Sequence, residues 1–146
     1  MADGVKITSI AEFNRFIKQV SNEFKGKIDL IDAEVGASCE EIATRAKQAA
    51  PLDVNGNPIS QGIFVRKLDK LSYSIVSSNP YSAYFEFGTG KYAASYVPTL
   101  DQEWQELAEK YIVNRKGTIP ERSYMYGSFK SVFPQMVKRI KNIINA

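Results

Sequence analysis

From Phe13 to Ala49 apolar side chains return every three or four residues, through Phe16, Ile17, Val20, Phe24, Ile28, Ile31, Val35, Cys39, Ile42 and Ala46. That spacing follows the 3.6-residue turn and lays one stripe along one face, so it predicts a single helix from Ile10 to Ala50. Ser9 and Glu12 supply a capping box at its start, and Pro51 stops it. Such a helix would be about 60 Å long at 1.5 Å per residue. A domain of this size cannot cover that length, so part of the helix is expected to project or to meet a neighbour. Gly36, with Ser38 and Glu41 as a second capping box, offers a break. The stripe keeps its phase across Gly36, which favours continuity. Cys39 lies on the stripe and reads as a small buried hydrophobe.

After Pro51 the pattern changes. Asp53-Val54-Asn55-Gly56-Asn57-Pro58 is dense in turn formers. Two strands are predicted next, Ile63 to Leu68 and Leu71 to Ser77, joined at Asp69-Lys70 as a hairpin. In the second, Leu71, Tyr73 and Ile75 alternate with Ser72 and Ser74. The run Tyr84-Phe85-Glu86-Phe87-Gly88-Thr89-Gly90 follows as a short helical turn leading into a glycine corner. Lys91 to Pro98 reads as a loop. Thr99 and Gln102 open a short helix lined by Trp104, Leu107, Ala108 and Tyr111. Asn114 to Glu121 is a second loop, and a last helix spans about Ser123 to Asn145, with Pro134 inside it expected to kink or split it. No repeat, low-complexity tract or linker divides the chain, so residues 1–146 are expected to form one domain.

Composition narrows the chemistry. The chain has 146 residues, 44% of them apolar, with a net charge of +3, one cysteine and no histidine. Ser-His-Asp triads, Cys-His pairs and ordinary zinc sites need an imidazole or several thiolates, so these classes drop out. No stretch reaches the ~20 apolar residues of a membrane span. Met1-Ala2-Asp3-Gly4 lacks a basic segment followed by an apolar run, so no signal peptide is expected. Charge is uneven: from Lys110 onward eight cations face the single anion Glu121, a net +7. Lys130, Lys138, Arg139 and Lys141 in that segment are candidate contacts for DNA or an acidic partner; the plainer reading is a solvated helix face.

Each catalytic reading has a plainer competitor. Glu86 between aromatic rings and Asp53 in its turn could act as acid and base, yet nothing places them together, and Glu86 reads better as a cap or interface residue. Gly88-Thr89-Gly90 resembles a phosphate loop but lacks the following Gly-Lys-Ser/Thr. Asp29, Asp32 and Glu34 diverge around their helix and read as a solvated face, not as a cation site. Tyr81, Tyr84, Lys91, Tyr92 and Tyr96 could stack nucleobases, but tyrosine-rich surfaces more often mark protein–protein interfaces. No cofactor motif is present.

The order of these features resembles the head–tail joining proteins of tailed bacteriophages, also called neck or tail-completion proteins (gene-product-ten-like). Ala50-Pro51-Leu52-Asp53 matches the end of that family's long first helix. Tyr81-Ser82-Ala83-Tyr84-Phe85-Glu86-Phe87-Gly88-Thr89 matches its signature, with Phe85 for an aliphatic residue. Ile119-Pro120-Glu121-Arg122-Ser123-Tyr124-Met125 is similar to its approach to the last helix. The chain departs from the family in a long turn before Gly62-Ile63-Phe64 and in an inserted loop and helix at about 91–118. The resemblance implies an α+β fold: an antiparallel sheet of about four strands, with the long N-terminal helix and the C-terminal helix packed on one side. It also implies a structural, non-enzymatic role in the virion neck, assembled in the host cytoplasm, with Pro51, Asp53, Tyr81, Tyr84, Glu86, Phe87, Gly88 and Thr89 as structural or interface residues. Implied partners are copies of the chain in a ring around the DNA channel and other connector, stopper or tail-terminator proteins. Neither a membrane nor a cofactor is implied. A small DNA-binding accessory protein is the alternative, and a small enzyme acting through Glu86 and Asp53 is the remaining one.

Overall fold

A computed structural model describes residues 14–19, 25–111 and 116–146. Six helices and two strands follow in order: α1 (14–19), α2 (Ile28–Ala49), β1 (Ile63–Asp69), β2 (Ser72–Ser77), α3 (Ser82–Phe87), α4 (Gly90–Tyr96), α5 (Gln102–Glu109) and α6 (Tyr124–Asn145). Short 3-10 turns occupy Lys25–Lys27, Ile59–Gly62 and Val97–Thr99.

The two long helices form the frame. Lys27 at the start of α2 donates to the carbonyls of Ile144 and Ala146, at 2.7 and 2.8 Å. Arg45 near the end of α2 meets Ser131 near the start of α6, so the helices run antiparallel. Their facing stripes bury Ile31 and Val35 against Phe133, Met136, Val137 and Ile140, and Ile17 of α1 joins that cluster. Each such side chain removed from water contributes roughly 1.5–3 kcal/mol before its entropy cost. The Lys27 ammonium also sits where α6 exposes its last carbonyls and the negative end of its dipole.

The single predicted helix is corrected at one point. A 3-10 turn at Lys25–Lys27, containing Gly26, precedes α2, so the stripe does not continue as one uniform helix. Gly36, by contrast, lies inside α2, as phase continuity required. The capping residues Ser9 and Glu12, and the stripe residues Val20 and Phe24, lie outside the described residues. Pro134 does not split α6, which stays helical across it.

The sheet is the larger correction. Among the described residues it has two antiparallel strands, β1 and β2, not about four. β2 alternates apolar and polar side chains, and the chain turns helical again at Ser82, after residues 78–81. Lys91 to Pro98, expected as a loop, forms α4 and a 3-10 turn, in keeping with the helix-favouring alanines of Gly90–Tyr96. The packing order differs as well. The hairpin lies on α2 and α6 lies on α2, with Tyr124 in the first turn of α6 reaching the sheet beside Ile63 and Val65.

Hairpin ends are shifted by about one residue from expectation. Asp69 still belongs to β1, the turn is Lys70-Leu71, and a bulge falls between Lys67 and Asp69. Leu71 has φ 64°, a costly conformation for a branched side chain. Asp32 of α2 supplies the restraint. One carboxylate oxygen accepts the Leu71 amide at 2.7 Å and the Tyr73 hydroxyl at 3.1 Å, while the other takes Lys67 Nζ at 2.7 Å. Asp32 is therefore a buried anchor for the hairpin, where the sequence pattern pointed to a solvated face. Burial opposes its ionised form, but the bonds from Lys67, the Leu71 amide and Tyr73 together hold its carboxyl below the usual range.

Candidate functional site

The signature segment folds into a corner that joins two apolar clusters. Phe85 packs toward Ala43, Ala46 and Tyr124. Ala83, Phe87 and Tyr84 pack the other way, with Ala93, Leu100 and Ala108. Six residues of helix α3 suffice because its side chains find apolar partners on both sides. Trp104 of α5 closes the second cluster, its ring edge-on to Tyr126 at 4.9 Å and to Phe87 at 6.4 Å.

Glu86 stands between the two clusters, 4% exposed. Its carboxyl accepts the backbone amides of Met125 at 2.7 Å and Tyr126 at 3.1 Å. These are the second and third residues of α6, whose preceding residue, Ser123, makes no side-chain cap. Glu86 thus caps α6 from a distant part of the chain, at the helix end whose free amides and dipole favour an acceptor. Burial pushes the Glu86 carboxyl up to about 7, against the lowering effect of those amide bonds. The Ser123 hydroxyl is bonded by Tyr96 at 2.5 Å, which ties α4 into the same junction.

Glycines make the next turn possible. Gly88 has φ 78° and Gly90 φ 55°. A Cβ on Gly88 would lie 2.9 Å from the Glu121 amide, and one on Gly90 would run into the carbonyl oxygen of Gly117. The close approach lets Thr89, itself buried, bond Ile119 twice: its amide donates to the Ile119 carbonyl and its hydroxyl accepts the Ile119 amide, each at 2.8 Å. Arg122 donates its amide to the Phe85 carbonyl at 2.8 Å. Backbone and hydroxyl fill this corner, so it has no room to cradle a phosphate.

Asp53 builds a second structural node. One of its oxygens accepts the amides of Asn55 and Asn57 at 2.8 and 2.9 Å, and the other takes the Asn79 side-chain amide at 3.0 Å. Those bonds, led by that from Asn79, hold the Asp53 carboxyl below its usual range. Asn79 in turn accepts the Tyr81 amide at 2.8 Å, so the turn after Pro51 is tied to the start of the signature. Pro51 contributes its carbonyl to the Ile59 amide at 3.2 Å. Among the described residues, Asp53 and Glu86 are not bonded to each other and share no hydrogen-bond partner.

Of the four basic candidates, Lys130, Lys138 and Lys141 share one side of α6 and Arg139 does not. Arg139 lies 3.5 Å from Glu41 and 3.8 Å from Glu34, an intramolecular bridge between α6 and α2. Lys130 stands over the Tyr126 ring, 5.6 Å from its centroid. At 100° per residue Arg139 points about 180° from Lys130 around α6, whereas Lys138 and Lys141 fall within about 80° of it. Cys39 is partly buried beside the α2–α6 core, and burial pushes its thiol up to about 11, unsuited to redox work. Among the described residues no group of three or more histidine, cysteine, aspartate or glutamate side chains is placed to hold a metal ion.

Sequence reasoning missed one concave feature, a cleft of about 550 Å³ between the end of β2 and α5. Ile75, Val76, Phe87, Trp104, Leu107 and Tyr111 contribute apolar walls, and Glu86 is part of the lining. Its signal in the sequence is the Trp104-Leu107-Tyr111 spacing, which a core stripe shares. Only Ala108 is buried on α5, and Leu107 and Tyr111 remain exposed. No protein-family model, curated protein or solved structure matches this chain.

Proposed function

We propose that this protein is a non-enzymatic structural component of a tailed-phage neck, joining head to tail or completing the tail, and that it works as a ring of identical subunits around the DNA channel. One observation carries the reading. Two of the three segments on which the resemblance rests, Tyr81–Thr89 and Ile119–Met125, meet each other in space and bond through several of their polar groups. Arg122 bonds Phe85, Thr89 bonds Ile119, and Glu86 bonds Met125. A signature largely spent on bracing backbone supports a role in shape and contact. The exposed apolar side chains Phe64, Leu68, Leu107 and Tyr111 are available for contacts with other subunits.

The test is genetic. Disrupting the gene in its phage should give filled heads and separate tails that fail to couple, with coupling restored by the intact gene and not by a Glu86→Ala copy. Normal infectious particles from the disrupted phage would end the proposal. The DNA-binding alternative is weakened by the Arg139 bridges to Glu34 and Glu41, which remove one of its four cations.

A further inference from the structure

We infer that the free edge of β2 takes an extended, uncharged segment of a partner protein as a third strand, its side chains entering the cleft before α5. The inference stands apart from the neck reading and uses only the hairpin and the cleft. Register decides which groups are free. The Ser78 amide donates to the Gly62 carbonyl at 2.9 Å, next to the Ile63–Ser77 pair. Antiparallel strands alternate bonded and non-bonded pairs, so Phe64 bonds Val76 and Arg66 bonds Ser74. Ile75 and Ser77 then turn their N–H and C=O groups away from β1. No other hydrogen bond engages those main-chain groups among the described residues. They open on the cleft: Ile75, Val76 and Ser77 all line it, side chains of both sheet faces together, as at a strand's edge.

The two edges of the hairpin are not alike. β1 carries Arg66, Lys67 and Asp69 and a bulge between Lys67 and Asp69, devices that keep an edge from pairing. β2, Ser72–Ser77, has neither charge nor proline. Such an edge recruits extended backbone, whose main-chain bonds supply the affinity. The cleft selects the chemistry. Phe87, Trp104, Leu107 and Tyr111 meet incoming side chains with apolar surface. Glu86, the one carboxylate in the lining, has its oxygens on the Met125 and Tyr126 amides, so a charged segment would find no partner there. Among the described residues the buried side-chain nitrogen that lacks an acceptor, Trp104 Nε1, belongs to that same wall, and buried polar groups are ordinarily satisfied. Size excludes the simplest alternative. At about 550 Å³ the cleft is the size of a small-ligand site, room for a few residues of one extended chain. The β2 strand of a second copy would bring β1 and α2 with it, so the occupant is a segment free of its own sheet.

Amide NMR on the full chain tests this with an acetylated, amidated pentapeptide of alternating threonine and valine. The control is the same peptide methylated on its backbone nitrogens, which cannot donate. The plain peptide should shift the Ile75 and Ser77 amides and the Trp104 indole. It should also slow hydrogen exchange at those two amides at least about tenfold at saturation. The methylated peptide should do neither. Leu107→Glu, a change at an exposed position, should weaken binding at least about tenfold by setting an unpaired charge against the incoming strand. No shift at millimolar peptide, or equal shifts from the methylated one, overturns the inference. Ile75 and Ser77 amides that move when the protein alone is concentrated would assign the edge to a second copy and overturn it too. Either result leaves the neck proposal where it stands.

Discussion

Glu86 is the residue on which the corner turns, and its chemistry can be measured. Replacing it with alanine strands the Met125 and Tyr126 amides in an apolar setting and should cost about 2–4 kcal/mol of unfolding free energy by denaturant titration near pH 5. Glutamine keeps one acceptor, so Glu86→Gln should lose less. The pH dependence has a definite sign. The folded carboxyl is raised to about 7 from the ordinary 4.5, so its proton is held more tightly in the folded protein. Its stabilising contribution is complete below about 4.5 and is lost as pH rises through about 7, a decline on the order of 3 kcal/mol that Glu86→Gln should abolish. Asp32 and Asp53 act in the opposite direction and in a different window. Both are lowered, so their contributions are present above the ordinary aspartate range and are lost only as pH falls below it. A wild-type profile flat between pH 4.5 and 7 would contradict the assignment to Glu86.

Glycine makes the same argument without titration. Gly90→Ala should destabilise by about 2 kcal/mol or more, from positive φ and the collision with the Gly117 carbonyl. Gly26→Ala should be close to neutral, because a methyl group there meets nothing within 4 Å. Thermal melts of the two variants side by side would show whether the corner's strain is real.

At the scale of elements, one side chain decides whether the hairpin belongs to the fold. Two strands alone are marginal in water. Asp32 binds this pair to α2 through Lys67, the Leu71 amide and Tyr73. Asp32→Ala should cost about 2–3 kcal/mol, with the half-exposed Lys67 contributing least. Hydrogen exchange should then quicken across β1 and β2 while the α2–α6 core stays protected. Uniform quickening of both regions would mean that the hairpin and helices unfold as one unit. The elements also show what a one-dimensional pattern can reveal. Helix α2, the turn after Pro51, the two strands, α3 and α6 follow from periodicity and turn chemistry, which are local. The missing strands, α4 and the break before α2 do not, because they depend on packing between segments far apart. Asp32 looked solvated for the same reason: its partners lie 35 to 41 residues away. Glu86 was legible as a cap, but which helix it caps was not, since Met125 is 39 residues further on.

The whole molecule is an antiparallel helix pair that carries a hairpin on one flank and, through the Glu86 corner, a smaller aromatic cluster around Trp104. Polar groups at its junctions, Asp32, Asp53, Glu86 and Thr89, are turned inward to backbone, while apolar rings and aliphatic chains of the hairpin and α5 face outward. That inversion favours a protein that works by fitting against others. Electron microscopy of intact particles, with this chain traced in the density, tests that claim most directly. A ring of copies between portal and tail tube, with Glu86, Phe87, Gly88 and Thr89 buried inside each subunit, is the result expected. Particles with coupled heads and tails and no density for this chain would contradict the account.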